Sequence, residues 1–311
     1  MMIVVDETEA RSRVSLSDAV EAVEAALRDL AAGTARLFPA VRERVAEGRG
    51  TFGVKSAELP SAGIVGLKAG GYWPGNARHA DKPDNHQSTT LVFERETGRV
   101  IGAVAANWLT EARTAAVGAI AIRALAREDA TTLAIIGTGK QAASQVEAAL
   151  LARPFTRVLL AGRSPEGVEA LRDRLAARGI EAAPATVEAA VRAADVVITI
   201  TPAAEPLFPA EWVRPGTHIN AMGSDTRGKR EMDGELVTAA RLVVDDIEQS
   251  ATLGEIEAVP QARAGAVTLG DVLAGTVPGR TDAAERTLFD STGLALQDLC
   301  VAARALGIAA R

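Results

Sequence analysis

The feature of this sequence that most constrains its fold is a glycine-containing turn between an apolar run and a helical pattern. Residues 132–136 read TLAII, residues 137–142 read GTGKQA, and a helical pattern continues to residue 152. The first glycine permits a tight bend, the second admits a phosphate close to the backbone, and the alanine lets the helix pack on the strand. The helix N-terminus also attracts an anion. In this context the pattern predicts a dinucleotide-binding turn, and a plain turn between packed elements is the alternative.

Strand-like and helix-like segments alternate after this turn. Apolar, β-rich runs lie at 131–137, 157–162, 195–200, 217–223 and 241–246, and helical patterns lie at 140–152, 165–179 and 187–194. Such alternation implies βαβ units and a parallel sheet. We therefore predict a doubly wound α/β domain of the Rossmann type over residues 113–293.

The first third of the chain has a different pattern. A helix over 17–32 is predicted with Ser17 as its N-cap and Gly33 as its stop, followed by short β-rich runs between residues 51 and 106 and a hairpin turn at Gly98. A second helix is predicted to start with Thr110 as its cap, which places Arg113 in its first turn. The helical pattern at 294–308 is expected to pack back on this part. The prediction is an α+β domain formed by residues 1–112 with 294–311.

Composition excludes several classes of function. The net charge is −6 and the basic residues are scattered, which argues against nucleic-acid binding and a basic membrane-binding face. No apolar stretch approaches the ~20 residues of a membrane span, and the N-terminus does not read as a signal peptide. The single cysteine, Cys300, lies in an apolar run and is expected to be buried, with a lone reactive thiol as the alternative. The expectation is a cytoplasmic protein.

The strand over 157–162 ends in Gly162-Arg163-Ser164, where an NAD-specific site usually has a carboxylate. A guanidinium and a hydroxyl can instead bind a 2′-phosphate. The sequence therefore favours NADP slightly over NAD, and a solvated Arg163 with NAD or dual use is the alternative. The strand over 195–200 is followed by Thr201, whose backbone is a candidate for contact with the nicotinamide ribose, and a plain turn at the end of the strand is the alternative.

Longer segments of the chain resemble the ornithine cyclodeaminase/μ-crystallin family. They are GLKAGGYWPGN, NHQSTTLVFERETGRVIGAVAANWLTEARTAAVGAIA, GTGKQAASQ, GSDTRGKREMDGELV and FDSTGLALQD, within residues 36–298. The resemblance implies redox chemistry at the Cα–N bond of amino and imino acids, and a homodimer in which the first domain binds substrate and forms the interface. The YWP element followed by RHADKPD is similar to a subgroup of iminosuccinate reductases.

The resemblance also implies roles for particular residues. Arg42, Lys68 and Arg113 match the positions that bind the substrate carboxylate, Lys68 also stabilises developing charge, and Asp225 matches the catalytic acid/base. The alternatives are a surface pair for Arg42, an edge-strand lysine for Lys68 and a turn aspartate for Asp225.

The remaining candidates border the substrate or the cofactor. A dicarboxylic substrate would explain the extra polar donors Lys55, Tyr72 and His86. Relatives often carry a threonine before this histidine, and here Asn85 takes its place, which puts the contact at that position in doubt. No metal ligand set is expected. The cofactor-binding candidates are Thr110, Gly137, Thr138, Gly139, Lys140, Gln141, Gly162, Arg163, Ser164, Thr201, Met222, Gly223 and Lys229.

Three functions remain open at this point. The leading hypothesis is an NAD(P)-dependent reductase or dehydrogenase of a small α-imino or amino acid, with iminosuccinate/aspartate and pyruvate/alanine as first substrates. A redox-neutral ornithine-type cyclodeaminase is the second. A catalytically silent ligand-binding protein, like some μ-crystallin relatives, is the third.

Overall fold

The computed structural model describes residues 2–81 and 84–308 and divides the chain into two compact units. The first unit comprises Met1–Arg113 with Leu294–Arg311, and the second comprises Thr114–Gly293. Residues 82–83 of the RHADKPD segment and residues 309–311 of the predicted first domain lie outside the described residues.

The helices in chain order are α1 (Glu7–Arg13), α2 (Leu16–Ala31), α3 (Asn107–Leu125), α4 (Ala142–Ala152), α5 (Pro165–Ala176), α6 (Val187–Ala193), α7 (Gly234–Ala239), α8 (Ile247–Leu253), α9 (Glu255–Ala258), α10 (Leu269–Ala274) and α11 (Ala295–Ala305). The strands are β1 (Ile3–Val5), β2 (Arg36–Leu37), β3 (Val41–Val45), β4 (Gly50–Leu59), β5 (Ile64–Tyr72), β6 (His86–Glu94), β7 (Val100–Ala105), β8 (Thr132–Ile136), β9 (Arg157–Ala161), β10 (Ala183–Pro184), β11 (Val196–Thr199), β12 (His218–Ala221), β13 (Arg241–Val244), β14 (Val267–Thr268) and β15 (Thr287–Asp290).

The first unit is built on a mostly antiparallel sheet. Its seven described strands have the order β1-β7-β6-β5-β4-β2, with β3 also paired to β4, and β1 runs parallel to β7. Helix α11 packs against α2 and against β4, β5 and β6. Leu299 of α11 approaches the sheet so closely that a Cβ atom on Gly66 would lie 2.6 Å from its Cδ1 atom. The face of the sheet that carries Gly66 therefore packs against α11, and this part of the face forms an apolar core.

The second unit is built on a parallel sheet. Its eight described strands have the order β10-β9-β8-β11-β12-β15-β13-β14, and each of the pairs found among them is parallel. The chain runs outward from β8 in one direction and restarts at β11 in the other, so β8 and β11 flank the topological switch point. Open parallel sheets bind ligands beyond the carboxyl ends of their strands at such a point. The glycine turn follows β8 and therefore lies there.

Two helix starts differ from the sequence predictions. Helix α2 is capped by Ser15 and not by Ser17, because the Ser15 hydroxyl accepts the N–H of Asp18 and the Asp18 carboxylate accepts the N–H of Ser15. The predicted stop at Gly33 is confirmed by its φ of +70°.

Helix α3 begins three residues before the predicted cap. The carboxylate of Glu7 accepts the backbone N–H groups of Asn107 and Trp108, so α1 caps α3 through a contact that local sequence does not reveal. Thr110 lies inside the first turn of α3, and its N–H bonds to the carbonyl of Ala106. Arg113 consequently lies in the second turn of the helix and not in the first.

Three of the eight described strands of the parallel sheet were not predicted, namely the two-residue strands β10 and β14 and the strand β15. Strand β15 lies between β12 and β13 and is only four residues long. Its sequence, TLFD, offers too short an apolar run to stand out from the FDSTG segment that follows. The predicted hairpin at Gly98 is confirmed, since this residue has φ of +70° between β6 and β7.

Candidate active site

The turn after β8 has a backbone geometry that suits a phosphate ligand. Gly137 has φ of +120°, and a Cβ atom there would lie 2.5 Å from the carbonyl oxygen of Ile200, just beyond β11. Only glycine fits this position. A Cβ atom on Gly139 would meet no described atom within 4 Å, so the second glycine borders open space. Gln141 provides no side-chain cap to α4, whose N-terminus can receive an anion. These observations fit the diphosphate of a dinucleotide.

Helix α5 holds this turn in place. The side chain of Thr138 lies against α5 and the end of β9, since a Cβ atom on Gly162 would be 2.7 Å from its Cγ2 atom. The guanidinium of Arg174 donates to the carbonyl oxygens of Thr138 and Gly139 at 3.0 and 3.1 Å. Because Arg174 binds the carbonyl oxygens on one edge of these peptide units, the opposite edge is left to a ligand. Arg174 is a residue that sequence reasoning missed, because nothing in its local sequence links it to a turn 35 residues earlier.

The end of β9 carries the candidates for cofactor discrimination. Arg163 and Ser164 are exposed, as is Lys140 in the glycine turn. The Ser164 hydroxyl accepts the N–H of Gly167 at 3.0 Å and so caps α5. A hydroxyl that accepts one hydrogen bond can still donate another. The arrangement is therefore compatible with a 2′-phosphate, and the preference between NADP and NAD stays a prediction.

A buried carboxylate ties together the carboxyl ends of β11 and β12. Glu231 accepts the hydroxyls of Thr199 and Thr201 at 2.7 Å each and the backbone N–H groups of Thr201 and Gly223 at 2.8 Å each. Burial raises the pKa of Glu231 to about 7, against the lowering effect of these hydrogen bonds. Met222 is buried beside this point. Glu231 thus shapes the backbone at two cofactor candidates, a role that the sequence did not reveal.

Asp225 follows the end of β12 and lies in a polar, partly exposed environment. Its Oδ1 atom accepts a hydrogen bond from Lys229 Nζ at 2.7 Å, and the Thr226 hydroxyl donates to the same oxygen at 3.1 Å. The side chains of Asp225 and Lys229 are 48% and 31% exposed. An ion pair with this exposure contributes little to stability. The pair is accessible to ligands in the second unit, as a proton-transfer group must be.

The predicted substrate residues of the sheet lie on one face of it. Lys55 of β4 pairs with Lys68 of β5, and Tyr72 of β5 pairs with His86 of β6. Arg42 of β3 pairs with Gly53 of β4, in the row of residues that lies between these two pairs. Successive rows on one face are about 7 Å apart. The apolar half of the same face lies beneath α11, so the sheet passes from a core surface to a polar, cationic one.

A second buried carboxylate, in the first unit, forms ion pairs with two of the predicted substrate residues. Asp298 of α11 is 2% exposed, and its Oδ1 atom lies 2.8 Å from Lys68 Nζ and 3.1 Å from Arg113 Nε. Arg113 also donates to Gln297 at 3.2 Å, and Lys68 donates to the Thr110 hydroxyl at 3.3 Å. Thr110, a predicted cofactor contact, therefore lies with the predicted substrate residues. Asp298 was not predicted as a site residue, because its partners are 230 and 185 residues away in the chain.

The electrostatics of this cluster favour an anionic ligand. Burial, followed by the charges of Arg113 and Lys68, lowers the pKa of Lys55 to about 7. Burial, Lys68 and Arg113 lower the pKa of His86 to about 4. Burial alone would raise the pKa of Asp298, but Lys68 and Arg113 outweigh it and leave that pKa below its usual value. Cations that disfavour one another's charge gain from binding a carboxylate.

Other chemistries find less support among the described residues. Cys300 is buried, as predicted, and burial raises the pKa of its thiol far above the usual range, so it is not an activated nucleophile. Within residues 2–81 and 84–308, no group of three or more His, Cys, Asp or Glu side chains is arranged to hold a metal ion. No helix in that part of the chain is long and apolar enough to cross a membrane.

A parallel sheet with a glycine turn at its switch point defines a dinucleotide-binding protein of the Rossmann class. This chain belongs to the ornithine cyclodeaminase/mu-crystallin family, whose sequence profile it matches over residues 1–306. The family resemblance and the predicted fold class are thereby confirmed.

Two relatives are similar over nearly the whole chain. Iminosuccinate reductase of Paracoccus denitrificans is 42% identical over 305 residues, covering 97% of this chain and 94% of that protein. The crystal structure of that reductase in complex with NAD+ has a TM-score of 0.93 at 40% identity, covering 99% of this chain and 96% of the other. An archaeal alanine dehydrogenase, solved as a dimer with bound NAD, has a TM-score of 0.92 at 34% identity, covering 98% and 95% of the two chains.

Proposed function

We propose that this protein is an NAD(P)-dependent reductase or dehydrogenase that interconverts a small α-imino acid and the corresponding L-amino acid. The observation that carries the proposal is the cluster of Lys68, Arg113 and Lys55 around Asp298, in a chain whose second unit carries a dinucleotide turn. When bound, the reduced nicotinamide supplies a hydride for the imine carbon. The protein must bind the carboxylate and deliver a proton to the imine nitrogen.

The residues divide between these tasks. Arg42, Lys68 and Arg113 bind the carboxylate, since guanidinium groups grip carboxylates with two hydrogen bonds and Lys68 adds charge close to the reacting carbon. Asp225 exchanges the proton, and its hydrogen bond from Lys229 orients the carboxyl group.

The cofactor is held by the glycine turn and the neighbouring strand ends. The proposed contacts are Gly137, Thr138, Gly139, Lys140, Gln141, Gly162, Arg163, Ser164, Thr201, Met222, Gly223 and Lys229, with Thr110 at the substrate side. NAD or NADP can serve, and Arg163 with Ser164 supports NADP, whereas the two related structures contain NAD+ and NAD.

Iminosuccinate is the substrate that we place first. The P. denitrificans relative is named for this compound. Lys55, Tyr72 and His86 share the face of Lys68, and a second carboxylate would offset the charge of Lys55. Iminopropionate comes second, in view of the archaeal alanine dehydrogenase. A diamine such as ornithine would bring an ammonium group toward a cationic surface, which disfavours the cyclodeaminase alternative.

We further propose a homodimer that forms through the opposite face of the first unit's sheet. Val4, Val41 and Phe52 point away from the face of Lys68 and are 65%, 55% and 39% exposed. Large apolar side chains exposed on one face of a sheet are typical of an association surface. The related archaeal alanine dehydrogenase is a dimer. A cytoplasmic location is proposed as well, since the chain has a single cysteine, Cys300, and so does not rely on disulfides within the chain.

A panel of 2-oxo acids with ammonia, assayed separately with NADH and NADPH, tests this function. We expect oxidation of the nicotinamide with oxaloacetate and less with pyruvate. Asp225→Asn should abolish turnover while nucleotide binding persists. Redox-neutral release of ammonia from ornithine would establish a cyclodeaminase instead. Nucleotide binding without turnover of any imino acid would identify a silent ligand carrier.

A further inference from the structure

The carboxylate of Asp298 joins three elements of the first unit. It lies in α11 and is almost fully buried. Its Oδ1 atom accepts hydrogen bonds from the ammonium group of Lys68 in β5 and from the Nε–H group of Arg113 in α3. Two cations therefore share one oxygen atom. Two of the three proposed carboxylate-binding groups, Lys68 and Arg113, are thus held next to each other by the same carboxylate oxygen.

The same arrangement places like charges side by side. Lys55 lies directly opposite Lys68 on the neighbouring strand, a position in which like charges are destabilising. Lys68 and Arg113 lower the pKa values of Lys55 and His86, after the larger effect of burial. The charge of Asp298 acts in the opposite direction on both groups. Asp298 is therefore the counter-charge of the whole cluster.

The second carboxylate oxygen of Asp298 indicates that this ion pair has more than a structural role. Its Oδ2 atom is buried and has no hydrogen-bond partner among the described residues. A buried carboxylate that only ties helices together normally has donors on both oxygens. The negative charge of Asp298 is thus incompletely neutralised by hydrogen bonds and acts through space on the cations around it.

We propose that Asp298 is a positioning residue that holds Lys68 charged and beside Arg113, ready to receive the carboxylate of the substrate. This inference rests on the proposed function. The titratable groups around Lys68 are Lys55, directly opposite it on β4, Arg113 from α3 and Asp298 from α11, together with His86 of β6, which lies two rows away on the same face and whose pKa Lys68 lowers. Without the carboxylate, Lys68 would face only like or neutral groups from this set and would lose its proton at lower pH.

The test is Asp298→Asn, assayed for kcat and KM from pH 6 to 10. We expect kcat/KM to fall on the order of 100-fold, mainly through KM, because a buried ion pair loses one partner. We also expect the alkaline limb of the profile to move about one pH unit toward acid. Asp298→Glu keeps the charge but moves it, and should restore the alkaline limb while KM stays about tenfold raised.

Asp18→Asn is the matched control. Asp18 of α2 pairs with Arg304 of α11 at 2.8 Å on the surface, so this variant removes a carboxylate that anchors α11 without touching the cluster. It should leave the pH profile unchanged. An unshifted alkaline limb in Asp298→Asn would overturn the proposal. If that variant does not fold, an unchanged KM in Asp298→Glu would overturn it.

A failure of the proposed function is distinguished by the wild-type enzyme. If the wild type turns over no imino acid, the redox function is wrong, and calorimetric binding of oxalate across the same pH range tests Asp298 alone. Oxalate affinity that weakens in Asp298→Asn, with a shifted pH dependence, supports the positioning role. Equal affinity in both proteins refutes it.

Discussion

Replacing Lys55 by methionine should separate dicarboxylic from monocarboxylic substrates. Lys55 lies opposite Lys68, and its pKa of about 7 means that about half of it is charged at neutral pH. A hydrogen bond from a charged group to a carboxylate contributes about 1.5–3 kcal/mol. Its loss corresponds to about 10- to 150-fold in kcat/KM for oxaloacetate with ammonia. The value for pyruvate with ammonia should change by less than about threefold, since no second carboxylate is present.

The pH dependence of the same pair of enzymes sharpens this test. A dicarboxylate binds the protonated form of Lys55, so the wild-type KM for oxaloacetate should rise as pH increases through 7, and the Lys55→Met profile should be flatter. Arg36→Met, an exposed cation of β2 whose side chain is 70% exposed, is the control. Equal losses for oxaloacetate and pyruvate would show that Lys55 does not recognise a second carboxylate. An unaffected oxaloacetate reaction would show that it does not contact the substrate.

Further predictions concern the second unit. Arg174→Met should weaken NADH binding about tenfold in a fluorescence titration, because the carbonyls of the glycine turn lose their donor, whereas Arg178→Met should not. Arg163→Ala should weaken NADPH more than NADH by about tenfold, and equal losses would defeat the proposed 2′-phosphate contact. Glu231→Gln should lower the melting temperature, since four donors converge on this carboxylate. Burial raises the pKa of Glu231 from 4.5 to about 7 in the folded state, so between these pH values the folded protein binds a proton that the unfolded chain has lost. The free energy of unfolding of the wild type should therefore fall as pH rises from 4.5 to about 7. Its advantage over Glu231→Gln should shrink by about 3 kcal/mol across that range.

The sequence predicted what local pattern determines. The turn at Gly137, the alternation of strands and helices in the second unit and the helix and hairpin of the first unit are all encoded within short windows of residues. These features needed only the periodicity of neighbouring residues and the special geometry of glycine. The residues of the cationic face were instead named from the resemblance to a family, because Arg42, Lys55 and Lys68 lie on three different strands and no local pattern brings them together.

The residues that sequence reasoning missed act over long distances in the chain. Asp298 meets Lys68 across 230 positions, Glu231 reaches Thr199 across 32, and Glu7 caps α3 from 100 positions away. Each is an acidic side chain whose local sequence is unremarkable, and its role arises only when distant elements pack. The wrong caps at Ser17 and Thr110 have the same origin in part, since a cap depends on which acceptor reaches the free N–H groups.

The measurement that tests the central claim most directly is NADH binding to Gly139→Ala, compared with the wild type by calorimetry. A Cβ atom on Gly139 meets no described atom within 4 Å, so this variant should fold with an unchanged melting temperature. The added methyl group would occupy the space proposed for the diphosphate and should cost about 2 kcal/mol of binding, or about 30-fold in Kd. Equal affinity in the two proteins, or no binding of NADH or NADPH to the wild type, would contradict the account.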